Sequence, residues 1–139
     1  MATLFSRIIA GEIPGLFVWK DDRAVVFLSI APIRPGHVLV VPRAEVDHWL
    51  DLEPDLAAHL THVGQVVGRA LQRAFPCRKV GLMVAGLEVP HVHLHLVPID
   101  DLRDLDFSRQ DSGASGQSLD EAATRIREAL RAMGRAEVV

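Results

Sequence analysis

The sequence predicts an α+β domain: a five-stranded antiparallel sheet with one long helix and a second helix near the C-terminus. Five short runs are rich in β-branched and aromatic residues. Most of these runs are joined by links of hairpin length, and a stretch with apolar residues at helical spacing is inserted after the third run. Strands connected in this way pair antiparallel, and we expect the helices to cover one side of the sheet.

The first three strands are predicted in the N-terminal third of the chain. Ser6 is expected to cap a short helix that ends at Gly11. The Asp-Asp-Arg turn at residues 21–23 joins the first two strands as a hairpin. The predicted strands are residues 16–20, 24–29 and 37–42.

The long helix is predicted over residues 54–74, where apolar residues recur every three or four positions. Pro76 follows its end, and proline cannot continue a helix. The fourth and fifth strands are predicted at residues 79–85 and 92–98.

The C-terminal part contains a polar stretch and then a second amphipathic pattern. Ser118 is expected to cap a helix over residues 119–133, with Glu121 completing a capping box. The domain prediction assigns residues 1–107 to one domain, 108–118 to a loop or linker, and 119–139 to a C-terminal helix and tail packed on the domain or on a partner subunit.

Composition restricts the function classes. The chain has 139 residues, of which 49% are hydrophobic, and a net charge of −3. This size suits one domain, and the charge does not indicate nucleic-acid or membrane binding. Cys77, the only cysteine, cannot form an intrachain disulfide, and no signal peptide or membrane-spanning run is recognisable. We therefore expect a cytoplasmic protein.

Three of the seven histidines, His91, His93 and His95, alternate with Val92 and Leu94. On a strand, alternate residues project from one face. One interpretation is a half-buried strand that carries histidines by chance. A second is a metal site, because imidazoles at this spacing can bind Zn²⁺. The third is catalysis, in which a neutral imidazole is the nucleophile and a neighbouring one binds an anion.

The segment HVHLHLV at residues 91–97 resembles the signature of the histidine triad (HIT) family. FSRIIAGEIP at 5–14, VFLSIAP at 26–32 and PGHVLVVP at 35–42 are similar to other blocks of the family, in the family's order. The chain most resembles the Hint-like branch of nucleotide hydrolases. The resemblance implies the same five-stranded sheet. It also implies a homodimer with a continuous ten-stranded sheet, and a purine nucleotide or nucleotide conjugate as ligand.

The resemblance also implies roles for individual residues. His93 would attack the α-phosphorus and carry the nucleotidyl group, and His95 would contact the phosphate oxygens. His91 would orient His93, and His37 would line the phosphate site. Five residues are candidates for substrate binding: Phe27 and Ile30 for the base and ribose, Ile8 at the border of that pocket, Ser29 near the ribose, and Glu88 before the triad.

The chain departs from the family pattern at three places. Thr3 and Ser6 occupy the positions of a metal-binding CxxC pair, and hydroxyls are poor zinc ligands, so no metal or other cofactor is predicted. Ser29 replaces an acidic residue that binds the ribose hydroxyls. The loop AGLEVP at 85–90 is shorter than usual and lacks the Asn and Gln that touch phosphate, with Glu88 where a small hydroxyl residue is expected.

Three functions remain open on this basis. The first is a nucleotide hydrolase or nucleotidyl transferase acting through His93, most simply a phosphoramidase or a dinucleoside polyphosphate hydrolase. The second is a nucleotide-binding sensor or adaptor with little turnover. The third is a metal-dependent hydrolase with His37, His93 and His95 around Zn²⁺.

Overall fold

The computed structural model describes residues 2–139. The helices are α1 (Leu4–Ile9), α2 (Pro54–Ala74) and α3 (Gly116–Ala132), and the strands are β1 (Phe17–Lys20), β2 (Ala24–Leu28), β3 (Val38–Pro42), β4 (Lys79–Met83) and β5 (Leu94–Ile99). Short 3-10 helices lie at Trp49–Asp51, Leu102–Leu105 and Phe107–Arg109.

All five strands form one antiparallel sheet in the order β1-β2-β3-β5-β4. The outer edge of β1 is covered by the C-terminal tail, because Lys20 donates its N–H to the carbonyl of Glu137 at 2.9 Å. In the described chain, β4 is the other edge of the sheet. The predicted α+β class with a five-stranded antiparallel sheet is therefore confirmed.

Helices α2 and α3 cover one face of the sheet and build the main core. The core side chains of α3 come from one stripe of that helix and pack in the same cluster as those of α2 and the sheet: Ala122, Ala123, Ile126 and Leu130. An amphipathic helix stabilises a fold through such a stripe. Helix α3 thus packs on its own chain.

The opposite face carries a smaller apolar cluster and the short helix α1. Phe5 and Ile8 of α1 pack on Val25, Phe27 and Leu39. The expectation that all helices lie on one side is wrong for α1. Its two buried side chains fill the space above β2 and β3, where the larger helices are absent.

Two predicted helix caps are wrong, each by three residues. Thr3, not Ser6, is the N-cap of α1, and its hydroxyl oxygen accepts the N–H of Ser6 at 3.0 Å. Ser115, not Ser118, caps α3 and accepts the N–H of Ser118 at 3.1 Å. In both cases another hydroxyl residue lies three positions upstream, so each helix begins one turn earlier.

Strand β5 begins two residues after its predicted start. The register of β3 and β5 would place Val92 opposite Pro42, the last residue of β3, but the N–H of Val92 donates to the carbonyl of Val46 at 2.7 Å instead. The alternation of side chains nevertheless persists through this segment, because Val92, Leu94 and Leu96 all lie in the main core. Among residues 2–139, no helix is both long and apolar enough to cross a membrane.

Candidate functional site

His93 lies directly before β5, on the sheet face opposite α2. Its Nδ1 is 2.7 Å from the carbonyl oxygen of His91. A carbonyl can only accept, so Nδ1 carries the proton and Nε2 of the neutral ring keeps its lone pair. Burial, which is the largest effect, lowers the pKa of His93, while the bond to His91 and the charge of Glu88 partly oppose it. A neutral ring with a free Nε2 is the form required of a nucleophile.

His37 and His95 form a directed pair behind this nitrogen. The N–H of Ile33 donates to Nδ1 of His37 at 3.0 Å, so the proton of a neutral His37 sits on Nε2. That Nε2–H donates to Nδ1 of His95 at 2.9 Å. The proton of neutral His95 is therefore on its own Nε2, where it is a donor for a bound group.

The protonation state of this pair follows from burial. Burial, together with the neighbouring charge of His93, lowers the pKa of His37 to about 4. Burial and the charges of His93 and His37 lower the pKa of His95 to about 3. Both rings are therefore neutral at pH 7, and the direction of their hydrogen bonds is fixed by the backbone of Ile33.

The position of His37 depends on the glycine directly before it in the chain. Gly36 has a φ of +93°, a conformation that residues with a side chain rarely adopt. A Cβ at this position would also lie 2.8 Å from the ring of Phe75. The Pro35-Gly36 turn therefore supplies both the backbone conformation and the space that His37 needs.

His91 is completely occupied by hydrogen bonds within the protein. Its Nε2–H donates to the carbonyl of Pro42 at 2.7 Å, and its Nδ1 is 2.6 Å from the hydroxyl oxygen of Thr3. The same hydroxyl caps α1, and the backbone N–H of Thr3 donates to the carboxylate of Glu45 at 2.9 Å. The ring is 0% exposed, so it acts on the site through its carbonyl oxygen.

Two phenylalanines border the histidines. The ring of Phe5 meets that of His93 edge-to-face at a centroid distance of 4.9 Å, and Phe107 meets His95 in the same way at 4.9 Å. The rings of His93 and His95 are themselves 4.7 Å apart. Together they form a row in the order Phe5, His93, His95, Phe107. Neither phenylalanine was among the predicted site residues, although Phe5 lies in one of the blocks that resemble the family.

The predicted substrate-binding residues divide into three groups. Phe27 and Ile8 are buried in the cluster that contains Phe5. Ser29 and Ile30 lie in the loop that leads to His37. The hydroxyl oxygen of Ser29 accepts the N–H of Ala31 at 3.3 Å, and Ile30 is 78% exposed. Glu88 is exposed in the loop before the triad, with its charge acting on His93.

The donor set does not fit a zinc ion. Thr3 and Ser6 stand where CxxC cysteines would bind one, and both ring nitrogens of His91 are already engaged. His37 likewise has both nitrogens occupied, which leaves His93 and His95 without a third ligand. Within residues 2–139 there is no group of three or more His, Cys, Asp or Glu side chains arranged to hold a metal ion.

Comparison with known proteins finds solved structures with the same overall fold. A zinc-bound histidine triad family protein from Mycobacterium smegmatis is 26% identical, with a TM-score of 0.83 and 99% of both chains covered. A hypothetical histidine triad nucleotide-binding protein from Sulfolobus tokodaii is also 26% identical, with a TM-score of 0.82 over 94% of this chain and 93% of the other. A HIT family hydrolase from Legionella pneumophila is 29% identical, with a TM-score of 0.59 over 68% of this chain and 90% of the other.

The HIT domain is the family whose sequence profile matches this chain, over residues 10–102. That region contains β1 to β5, α2 and all four histidines of the site. It is more than half of the chain. The chain therefore belongs to the HIT domain family.

Proposed function

We propose that this protein cleaves nucleoside monophosphate conjugates at the α-phosphorus, with His93 as the nucleophile. One observation carries the proposal: Nδ1–H of His93 donates to the carbonyl of His91 at 2.7 Å, so the Nε2 lone pair is free beside the Nε2–H donor of His95. Covalent catalysis of this kind divides one difficult displacement into two easier steps.

In the first step, Nε2 of His93 forms a bond to the α-phosphorus, and the bond from phosphorus to the leaving group breaks. The leaving group takes up a proton from solvent. In the second step, water attacks the phosphorus, the bond to His93 breaks, and a proton returns to solvent with release of a nucleoside monophosphate. His95 donates to a phosphate oxygen throughout, and a donor oriented in advance stabilises the charge that develops there.

The surroundings of the histidines support a nucleotide as substrate. The buried apolar cluster of Phe5, Ile8 and Phe27 adjoins the His93 end of the row, and we place the base beside it. Purine nucleoside phosphoramidates and related monophosphate conjugates are the first substrate class. Dinucleoside polyphosphates are the second.

We further propose that the protein is a homodimer that pairs through β4. This strand is a sheet edge, and its Leu82 is 51% exposed. Beside it, a groove between α2 and the sheet is lined by Gly64, Gly68 and Leu96. Pairing of two β4 edges would extend the sheet to ten strands. Light scattering should give the mass of a dimer for the wild type and of a monomer for Leu82→Asp; a monomeric wild type would overturn this part.

A nucleotide sensor with little turnover is the alternative. The exposed carboxylate of Glu88 acts on His93, and a negative charge there repels a phosphate. The hydroxyl of Ser29 is also engaged by Ala31. These two features favour weak turnover, while the free Nε2 of His93 favours catalysis.

The test is release of AMP from adenosine 5′-phosphoramidate, with a diadenosine polyphosphate in parallel. Wild type, His93→Ala and His62→Ala are compared with and without a chelator; His62 is an exposed histidine of α2 and is the matched control. We expect chelator-resistant release that falls at least ~1,000-fold in His93→Ala and is unchanged in His62→Ala. Binding of AMP without any release by the wild type would overturn the hydrolase and support the sensor.

A further inference from the structure

The acidic segment that follows β5 lies on the same side of the sheet as the histidines. This segment, residues 100–111, is here called the strap. Its Leu105 sits over Gly81 of β4, where a Cβ would come within 2.8 Å of the Leu105 side chain. The strap therefore uses the missing side chain of Gly81 to approach the sheet.

One buried carboxylate holds the strap in place. Asp104 is 5% exposed, and its Oδ2 accepts the backbone N–H of Asp100 at 2.9 Å and of Asp101 at 3.2 Å. The guanidinium of Arg34 pairs with the same oxygen, and Arg109 pairs with the other at 3.5 Å. An ion pair with this many hydrogen bonds satisfies the buried charge.

The far end of the strap is tied to the loop that carries His37. The side chain of Gln110 donates to the carbonyl of Ala31 at 3.0 Å, and the N–H of Asp111 donates to the carbonyl of Pro32 at 2.9 Å. The strap is thus bonded at both ends, and the position of Phe107 between them is defined.

Phe107 closes the row of rings at the end opposite Phe5. One edge contact joins it to His95, yet the residue remains 36% exposed, so part of its ring is free beside the site. The apolar cluster proposed for the nucleoside lies at the His93 end. In-line displacement directs the departing group away from His93, and Phe107 is the partly exposed ring at the end of the row beyond His95.

The charges around this end disfavour an anionic leaving group. Asp106 precedes Phe107 and is exposed, and the charge of Glu88 acts on His93. The two positive charges of Arg34 and Arg109 are balanced by Asp104, which pairs with both, and by Asp100, which pairs with Arg34 at 3.3 Å. A polyphosphate would therefore meet carboxylates without a free cation among these groups, whereas an aromatic group would meet the Phe107 ring.

We propose that Phe107 is a specificity residue: its exposed ring packs on the leaving group and selects conjugates of nucleoside monophosphates with apolar or aromatic amines. This inference rests on the proposed function. The bond that breaks is the P–N bond to the amine, which departs with a proton from solvent, while Nε2 of His93 takes its place on phosphorus.

The experiment compares kcat/KM for adenosine 5′-(N-benzyl)phosphoramidate with that for unsubstituted adenosine 5′-phosphoramidate. We expect the wild type to prefer the benzyl compound, and Phe107→Ala to lower the ratio of the two values about fivefold to tenfold, as an aromatic contact of ordinary strength requires. Phe107→Leu, which keeps apolar volume, should give an intermediate ratio and covers the case in which the alanine variant does not fold.

Leu102→Ala is the matched control, because Leu102 lies on the strap but is 84% exposed; its ratio should equal that of the wild type. A ratio that is unchanged in both Phe107 variants, with both substrates turned over, would overturn the role of Phe107 and leave the proposed function standing. No AMP release from either substrate by the wild type would overturn the proposed function, and the specificity role with it.

Discussion

Residues 93–96, at the start of β5, present two opposite sides that are stabilised by different interactions. Leu94 and Leu96 point into the main core, which is built from apolar side chains of the sheet, α2 and α3. His93 and His95 point the other way. In each ring Nε2 is free for substrate, while Nδ1 has one hydrogen-bond partner, the carbonyl of His91 for His93 and Nε2–H of His37 for His95. Both sides are buried to a similar degree, since Leu94 and His93 are each 6% exposed.

The leucine side is stabilised by the burial and close packing of apolar side chains, so any apolar residue of similar size can replace a leucine there. The histidine side depends on the direction of its hydrogen bonds, because each ring must turn one particular nitrogen toward the substrate. This direction is set by the carbonyl of His91 for His93 and, through His37, by the N–H of Ile33 in the loop before β3 for His95. Stability and activity should therefore respond to different substitutions in adjacent residues.

The largest expected effect on stability is that of Leu94→Ala. Truncating a buried leucine costs about 2–5 kcal/mol of the free energy of unfolding, through lost apolar contact and the cavity that remains. His93→Ala should cost clearly less, because an imidazole gains less free energy than a leucine side chain on leaving water, and its one hydrogen bond contributes only about 1 kcal/mol. Urea denaturation of both variants measures the difference. Equal losses would show that the two sides are not energetically distinct.

Two substitutions of His37 should distinguish the effects of its two hydrogen bonds, one to Ile33 and one to His95. His37→Asn places an acceptor near the position of Nδ1 and can keep the bond to Ile33, but it loses the donor to His95. We expect kcat to fall about 10- to 100-fold. His37→Gln places its amide near Nε2 and should retain much more activity. Equal kcat values for the two variants would contradict the directed pair.

The buried neutral histidines predict a loss of stability in mild acid. Their pKa values in the fold lie below the 6.5 of an unfolded histidine, with His37 at about 4 and His95 at about 3. At pH values between 6.5 and these lower pKa values, the unfolded state binds more protons than the folded state. Stability is therefore complete above pH ~6.5 and falls as the pH decreases, by up to ~1.4 kcal/mol per pH unit for each histidine.

Urea denaturation between pH 7 and pH 4.5 measures this slope. The carboxyls with lowered pKa, such as Asp21 and Asp104, start from a reference value of 3.8 and contribute mainly below this window. His37→Gln should have a shallower slope than the wild type. A stability that is constant across the window would contradict the neutral, buried state of the histidines.

The smallest expected effect is that of Thr3→Val. It removes one hydroxyl that bonds His91 and caps α1, so we expect a loss of about 1–2 kcal/mol in stability. AMP release should fall less than tenfold, since Pro42 still holds the other nitrogen of His91. Thr3→Ser restores the hydroxyl and should restore both values. Failure of serine to do so would assign the effect to packing of the methyl group.

Much of the fold could be predicted from local patterns. The alternation and the helical spacing of apolar residues identify all five strands and the long helix, because the spacing of apolar residues follows from which side of an element is buried. The caps were misplaced because a serine inside a first helical turn looks like a serine at its start. Thr3 and Ser115 are distinguished only by the backbone.

The site was predicted less completely, for a physical reason. His37, His91, His93 and His95 were proposed from spacing and resemblance, and the structure brings them together. Thr3, Phe5 and Phe107 were missed as neighbours of the histidines. Each lies in a short helix outside the sheet or caps one, and nothing in the local composition indicates which side chain will meet a histidine.

The proposed mechanism requires Nε2 of His93 to bond to phosphorus during turnover. We would mix the protein with adenosine 5′-phosphoramidate, quench within one turnover in alkaline denaturant, where a P–N bond survives, and measure the intact mass. We expect a transient mass increase of one AMP group in the wild type that is absent from His93→Ala. AMP release without any adduct at any quench time would contradict it and indicate direct attack by water.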